Sequence, residues 1–227
     1  MARTATRYLI VGWARGGLGY ITQQLHMAGY DVGNTFDHTT TVENLAERLA
    51  QAKPYEVSSF LVPFLDHPAL QGIPVLFVLR DPMRILNSLY FHGMFHTEKL
   101  SQVRQMAITH LPEPMHELQG RPAQLAIAYL IGWLQRAQIL RPNLPLFRIE
   151  LGPAMLFAQL PDKPVTDQNL CPADVNSSYC RQMIVPGQLP QPAQDKILKL
   201  LIQLGYRESA WMPRGGHAHY VNPDWHC

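Results

Sequence analysis

The chain has 227 residues, of which 47% are hydrophobic and 16% are charged, and its formal net charge is +2. This length and apolar content predict one globular domain over residues 1–227 and exclude a disordered chain. The small net charge, without runs of Lys or Arg, gives no support for a nucleic-acid partner.

The first predicted unit is a strand, a glycine-rich loop and a helix. Tyr8–Val11 is a short apolar run that predicts a buried strand. Arg15 follows in a loop rich in glycine, and a helical pattern then runs from Leu18 to Met27 and is closed by Gly29. Such a loop exposes backbone N–H groups, and a helix N-terminus adds about half a positive charge. The stretch therefore predicts a phosphate-binding loop, although an ordinary strand-to-helix turn has the same composition.

A short second strand and a third strand come next, with a helix between them. Residues 31–33 form the second strand, and the polar loop after it contains Thr40, which fits a capping box with Glu43 at the start of the helix. The segment 56–61, with the sequence EVSSFL, predicts the third strand.

The second informative stretch is the strand–helix unit around Arg80. Val75–Leu79 is a continuous apolar run rich in β-formers, as in a central strand of a parallel sheet. The Asp-Pro pair at 81–82 suits the start of a helix, and the predicted helix Met83–Phe91 carries Ser88. We therefore expect Arg80 and Ser88 to face the space above the strand ends, where open α/β sheets bind ligands.

The rest of the chain supplies further helices and one more strand. Helices are predicted over 98–108 and about Pro122–Leu140, followed by a strand over 146–149, an irregular segment over 161–188 and a last helix that ends near Tyr206. This alternation predicts an α/β three-layer sandwich around a central, mainly parallel sheet of four or five strands. The predicted strands are 8–11, 31–33, 56–61, 75–79 and 146–149.

No apolar segment is long enough for insertion into a membrane. The N-terminal sequence MARTATRYLI lacks the apolar core of a signal peptide. No run reaches the roughly 18–20 apolar residues that a membrane helix needs. We therefore expect a soluble, cytoplasmic protein without a membrane partner.

The two loops together resemble those of the sulfotransferases that use 3′-phosphoadenosine 5′-phosphosulfate (PAPS). They lie in YLIVGWARGGLGY at 8–20 and PVLFVLRDPMRILNSLYFH at 74–92. In that family the first loop, usually of the type Arg/Lys-Ser-Gly-Thr-Thr, holds the 5′-phosphosulfate. An Arg at the end of a later strand and a Ser eight residues on bind the 3′-phosphate. Arg15 falls on the basic position of the first loop, and Arg80 and Ser88 match the second pair. LFRIEL at 146–151 resembles a late strand of the family, and the likeness covers roughly residues 8–206.

The resemblance implies a P-loop-like sulfotransferase fold and a reaction without a metal. The sulfuryl group of PAPS would pass to a hydroxyl or amine of an unidentified small-molecule or glycan acceptor, leaving 3′-phosphoadenosine 5′-phosphate (PAP). It also implies that Arg181, in the late irregular segment, reaches the 3′-phosphate, although a solvated arginine fits as well. The implied nucleotide-binding residues are Arg15, Gly16, Gly17, Leu18, Gly19, Tyr20, Arg80, Ser88 and Arg181.

The first loop departs from the family because it lacks hydroxyl groups. Gly16, Leu18 and Gly19 stand where Ser and Thr are usual. The loop must then bind the phosphosulfate through its backbone N–H groups and Arg15. Because arginine stays protonated, Arg15 would act in catalysis through its charge.

A general base should also remove the proton of the acceptor. Asp37, His38 and Glu56 lie in segments that should end near the first loop, so they are the predicted candidates, and each also suits a structural role. His92 and His96 are weaker candidates, because we expect them beyond the 3′ side of the nucleotide.

Two other functions stay open. A small-molecule kinase of this topology would carry a Gly-Lys-Ser/Thr ending in the first loop, to hold phosphates and Mg²⁺. This loop has neither that Lys nor that hydroxyl. A non-catalytic nucleotide-binding protein on a degenerate sulfotransferase scaffold would account for the missing hydroxyls. Binding of PAPS and of ATP distinguishes the three functions.

Overall fold

A five-stranded parallel sheet forms the centre of the protein. The structure is a computed structural model that describes residues 8–96, 101–111, 117, 121–162, 184 and 186–206. Every strand pairs in parallel with its neighbours, in the order β2-β3-β1-β4-β5. The strands are β1 (Tyr8–Gly12), β2 (Val32–Gly33), β3 (Tyr55–Ser58), β4 (Val75–Leu79) and β5 (Leu146–Arg148). The predicted α/β class with a parallel sheet is therefore confirmed, and β1 and β4 are neighbours, with Val11 paired to Phe77.

Helices cover both faces of the sheet. They are α1 (Leu18–Met27), α2 (Leu45–Gln51), α3 (Pro82–Phe91), α4 (Gln102–His110), α5 (Pro122–Leu140), α6 (Pro153–Phe157) and α7 (Gln191–Gln203). Side chains alternate between the two faces along a strand. In β1, Ile10 packs with residues of α1 and α6, whereas Leu9 and Val11 pack with residues of α3, α5 and α7. The result is two apolar cores, one on each side of a buried sheet.

The local sequence explains where the main helices begin and end. Asp81 caps α3, because its carboxylate accepts a hydrogen bond from the Met83 N–H at 2.8 Å, and Pro82 is the first helical residue. Helix α5 spans the predicted Pro122–Leu140, and its Trp133 is buried in the core. Helix α1 ends just before Gly29, whose φ is +84°.

Two sequence predictions need correction in this region. Strand β3 ends at Ser58 and not at residue 61, because the Ser58 hydroxyl donates to the Phe36 carbonyl at 2.5 Å and accepts from the Phe60 N–H at 3.0 Å. These bonds turn the chain away from the sheet. The predicted capping box of Thr40 and Glu43 is also wrong: the N-cap residue of α2 is Asn44, whose side chain accepts from the Thr41 N–H at 2.8 Å in the turn before the helix.

Several predictions fall outside the described residues. The N-terminal part of the helix predicted over 98–108 lies outside them, and α4 begins at Gln102. Arg181 and most of the irregular segment 161–188 also lie outside the described residues. Among the residues that are described, no helix is both long and apolar enough to cross a membrane.

Candidate functional site

The candidate site lies at the carboxyl edge of the sheet, above its two central strands. The loop after β1 occupies residues 13–17, and Arg80 follows β4 directly. Because β1 and β4 are parallel neighbours, their carboxyl ends bring both segments to one place. This edge is where open α/β sheets bind ligands.

Close packing fixes the backbone of the loop after β1. The Gly16 N–H donates to the Trp13 carbonyl at 2.9 Å, which closes a turn, and Arg15 has a left-handed φ of +65°. A Cβ on Gly16 would lie 2.8 Å from the Trp13 carbonyl oxygen, and one on Gly17, whose φ is +89°, would lie 2.4 Å from Ile149 Cδ1. Both positions therefore require glycine. The missing loop hydroxyl at residue 16 follows from this tight turn.

The same loop is tied to helix α5 by two side chains. The Trp13 indole N–H donates to the Leu130 carbonyl at 2.8 Å, and the Tyr129 hydroxyl accepts from the Ala14 N–H at 3.0 Å. Trp13 is fully buried and packs edge-on against Phe77. Burial also raises the pKa of Tyr129, so its hydroxyl stays neutral. The loop is therefore held from one side by the core before any ligand binds.

Arg15 reaches from the loop to helix α3. Its Nε donates to the Ser88 hydroxyl at 2.9 Å, and its Nη2 lies 3.1 Å from His92 Nε2. The other ring nitrogen of His92, Nδ1, lies 2.8 Å from the Ser88 carbonyl oxygen. A carbonyl only accepts and a guanidinium only donates, so Nδ1 carries the proton and Nε2 is the acceptor. These contacts describe a neutral imidazole whose Nε2 lone pair points at Arg15.

Arg80 joins the loop from the end of β4. Its Nη1 donates to the Arg15 carbonyl at 3.2 Å. Burial, and next the positive charge of Arg84, lower the pKa of Arg80 from its ordinary value, although arginine remains charged at neutral pH. Arg15 acts in the same direction as Arg84, whereas the carboxylates of Glu150 and Asp81 act against them. Three arginines thus converge at the edge of the sheet.

The two carboxylates near these arginines are used within the fold. Asp81 caps α3, as described above. Glu150 accepts from the Asp81 N–H at 2.8 Å and from the Tyr206 hydroxyl at 3.0 Å, and so it joins β5, α3 and the end of α7. Within the described part of the chain, Arg15, Arg80 and Arg84 contribute three positive charges to this cluster and Asp81 and Glu150 two negative ones, a balance that favours an anion.

Sequence reasoning recovered most of this cluster, missed one of its members and misplaced another. Arg15, Arg80 and Ser88, each predicted to bind the nucleotide, are joined by hydrogen bonds. Arg84 was not predicted, and His92 was expected farther away. The available signal was spacing: Arg84, Ser88 and His92 follow one another at intervals of four residues and so share one face of a helix.

Glu56 does not join this cluster. Its side chain is fully buried, and its carboxylate accepts from the Thr35 N–H at 2.7 Å, the Thr35 hydroxyl at 2.8 Å and the Lys53 N–H at 2.7 Å. These bonds hold the segments that flank β2 and α2 against β3. We therefore assign Glu56 a structural role, and its predicted role as a general base receives no support.

The other two predicted bases lie at an exposed part of the same edge. Asp37 accepts from the Thr39 N–H at 2.9 Å and pairs with Arg48 at 3.1 Å. His38 Nε2 lies 3.0 Å from the amide nitrogen of Gln102. No contact between these two side chains and Arg15 occurs among the described residues, and their roles stay predictions.

Replacement of Glu56 by alanine should destabilise the protein strongly. The change leaves the donors of Thr35 and Lys53 unpaired, and each buried unpaired donor costs about 1–3 kcal/mol. We expect Glu56→Ala to lower the free energy of unfolding by about 3 kcal/mol or more, measured by urea denaturation. Glu47→Ala, on the exposed face of α2, is the matched control and should change it by less than about 0.5 kcal/mol. A stable Glu56→Ala variant would contradict the structural role.

A narrow, mainly apolar cleft, with no room for a water molecule, lies beside the loop. It runs between the segments after β1 and β3 on one side and helices α4 and α5 on the other. Its lining residues are Ala14, Ser59, Phe60, Val103, Met106, Tyr129 and Trp133. His38 packs against Phe60 with a ring-centroid distance of 6.1 Å, so it stands near this cleft.

Comparison with protein-family models, curated proteins and solved structures finds no match. The described residues contain no group of three or more side chains suited to hold a metal ion. The function must therefore be argued from the loop, the arginines and the cleft themselves.

Proposed function

We propose that the protein is a sulfotransferase that moves the sulfuryl group of PAPS to a hydroxyl or amine of a small-molecule or glycan acceptor. The observation that carries the proposal is the cluster of Arg15, Arg80 and Ser88. These residues come from separate segments, and two hydrogen bonds join them above the central strands. A donor with phosphate groups at its 3′ and 5′ positions needs such a paired basic site.

The loop and α1 would hold the 5′-phosphosulfate. No side chain caps the N-terminus of this ten-residue helix among the described residues, so its first N–H groups point toward the site. Close packing at Gly16 and Gly17 keeps the loop backbone near the ligand. Arg15 adds a fork of donors on the same side, which suits sulfuryl or bridging oxygens.

Arg80 and Ser88 would hold the 3′-phosphate. The fork of Arg80 suits bidentate contact with a phosphate, and the Ser88 hydroxyl supplies a further donor. Arg84 adds charge at the same place, since its field acts on Arg80. The 3′-phosphate distinguishes PAP from adenosine 5′-phosphate, so these residues would select the nucleotide.

The reaction needs positioning and charge more than covalent chemistry. The acceptor oxygen or nitrogen forms a bond to sulfur while the bond from sulfur to the bridging phosphate oxygen breaks in line. Negative charge develops on the leaving phosphate, and Arg15 would stabilise it without giving up a proton. A kinase reaction is disfavoured, because the loop lacks the Lys and the hydroxyl that hold phosphates and Mg²⁺.

Calorimetric titration with PAP, PAPS, adenosine 5′-phosphate and ATP tests the proposal. We expect PAP and PAPS to bind at least about tenfold more tightly than adenosine 5′-phosphate, because a charge-assisted hydrogen bond contributes about 1.5–3 kcal/mol. Preference for ATP with Mg²⁺ would favour the kinase. Tight binding of PAPS without transfer to any phenol, alcohol or amine would favour the non-catalytic binding protein.

Restoring a hydroxyl at Gly19 should strengthen PAP binding. Gly19 is exposed in the first turn of α1 and is not among the glycines with positive φ, so a β-branched residue fits its backbone. We expect Gly19→Thr to raise PAP affinity up to about tenfold by calorimetry, since one hydrogen bond to a charged group adds about 1.5 kcal/mol. Gly16→Ser is the contrasting variant and should destabilise the loop, because its Cβ meets the Trp13 carbonyl at 2.8 Å. Weaker binding by Gly19→Thr would contradict the prediction.

A further inference from the structure

We propose that His92 is the general base that takes the proton of the acceptor. The inference rests on the proposed sulfotransferase function and adds a catalytic residue to it. It starts from the contact between His92 Nε2 and Arg15 Nη2 at 3.1 Å, which places an imidazole one side chain away from the loop.

The orientation of His92 suits a base. Its Nδ1–H donates to the Ser88 carbonyl at 2.8 Å, one helical turn earlier, and this bond fixes both the ring and its tautomer. The Nε2 lone pair therefore faces the site and not the core. The side chain is half-buried, so an acceptor can reach it.

Three of the four other candidates are engaged elsewhere, and the ring of the fourth, His96, packs against that of Tyr90. The Glu56 carboxylate accepts three hydrogen bonds inside the fold. Asp37 is paired with Arg48. The His38 ring contacts Gln102 and Phe60. Among these five candidates, His92 is the one that directly contacts a residue of the proposed donor site in the described structure.

The contact with Arg15 also implies that the donor binds before His92 takes up a proton. While Arg15 Nη2 donates to Nε2, the lone pair of His92 is occupied. Oxygens of a phosphosulfate are stronger acceptors than an imidazole and draw Arg15 Nη2 toward them. This movement of Nη2 leaves two contacts in place: the bond from Arg15 Nε to the Ser88 hydroxyl and the bond from His92 Nδ1 to the Ser88 carbonyl. Donor binding would thus remove the Arg15 contact from Nε2.

The proposed step is balanced in atoms and charge. The proton of the acceptor O–H or N–H moves to Nε2, and the electron pair left on that atom forms the new bond to sulfur. The bond between sulfur and the bridging oxygen breaks, and its electron pair stays on the 5′-phosphate of PAP. The imidazolium then returns its proton to solvent. Arg15, from the loop, is a charged side chain in contact with the ring, and Arg84 lies on the same face of α3.

Three variants of residue 92 test the role. Glutamine keeps an oxygen that can accept from Arg15 but cannot act as a base, whereas alanine removes both functions. The assay follows PAP release from PAPS with water alone and with phenol, a primary alcohol or aniline as probe acceptors. Calorimetry gives the dissociation constant of PAP. We expect His92→Gln to bind PAP within about threefold of the wild type while its rate falls about 10²–10⁴-fold. Added imidazole should partly restore His92→Ala but not His92→Phe, which fills the space of the ring.

The pH profile and a control complete the test. The wild-type rate should fall when acid protonates the base, and His92→Gln should lose this pH dependence. His26→Gln, on the exposed end of α1, should retain the wild-type rate. Wild-type activity in His92→Gln with loss only in His92→Ala would show that His92 positions Arg15, and would overturn the proposal. Wild-type turnover that persists in His92→Gln overturns the base alone, whereas a wild type that releases no PAP from PAPS overturns the proposed function itself.

Discussion

Arg15→Ala should lower the rate of PAP release from PAPS by about a thousandfold or more. The loss of one donor to developing negative charge typically costs 10²–10³ in rate, and Arg15 supplies several donors in a loop without hydroxyls. The fold should persist. Arg15 is half-exposed, and the Arg80 contact uses its backbone carbonyl, which alanine retains. Thermal unfolding and PAPS turnover measure the two effects separately.

Two further variants at this position separate charge from geometry. Arg15→Lys keeps the charge but loses the fork that spans Ser88 and His92, and should recover only part of the activity. Arg15→Gly removes the side chain at a φ of +65°, where a non-glycine residue costs about 1–2 kcal/mol. It should therefore be inactive without loss of stability. An active Arg15→Ala enzyme would contradict the assignment of the loop.

Arg80→Ala should weaken PAP binding by about 10–100-fold and binding of adenosine 5′-phosphate by less than about threefold. The difference reflects the 3′-phosphate, since a hydrogen bond to a charged group contributes about 1.5–3 kcal/mol. Calorimetry with both ligands measures it.

Because Arg80 also contacts the Arg15 carbonyl, the binding of adenosine 5′-phosphate by Arg80→Ala must be measured as a control. If that contact at 3.2 Å mainly supports the loop, both nucleotides should lose affinity equally. Ser88→Ala lacks such a contact with the loop backbone and should reduce the preference for PAP by a smaller factor. Equal losses in Arg80→Ala would assign Arg80 to the fold and remove it from the 3′-phosphate site.

The central part of the fold was predictable because its signals are local. The apolar runs of β1 and β4 have no polar interruption, and the Asp-Pro pair at 81–82 marks the start of α3. The end of β3 was not predictable, since it depends on a hydroxyl bond from Ser58 to Phe36, 22 residues earlier in the chain. The start of α2 was also misplaced, because three successive threonines offer near-equal capping patterns, whereas the N-cap residue is Asn44.

In the candidate site, too, some residues could be predicted from the sequence and others could not. Arg15, Arg80 and Ser88 follow from motif spacing and from the parallel order of β1 and β4. The role of Glu56 depends on donors from Thr35 and Lys53, which a single sequence does not place beside it. The contact of His92 with Arg15 depends on which face of α3 the packing against α5 and α7 leaves open.

The tie between the loop and α5 has a thermodynamic consequence. Tyr129 accepts from the Ala14 N–H and is itself buried in the core, beside a cleft that has no room for a water molecule. A core substitution that shifts Tyr129 therefore changes the energy of the loop. By reciprocity, a nucleotide that binds the loop must stabilise the native packing of Tyr129 by the same free energy. Variants of this core can therefore be compared by how far PAP raises their unfolding temperature, without a known acceptor.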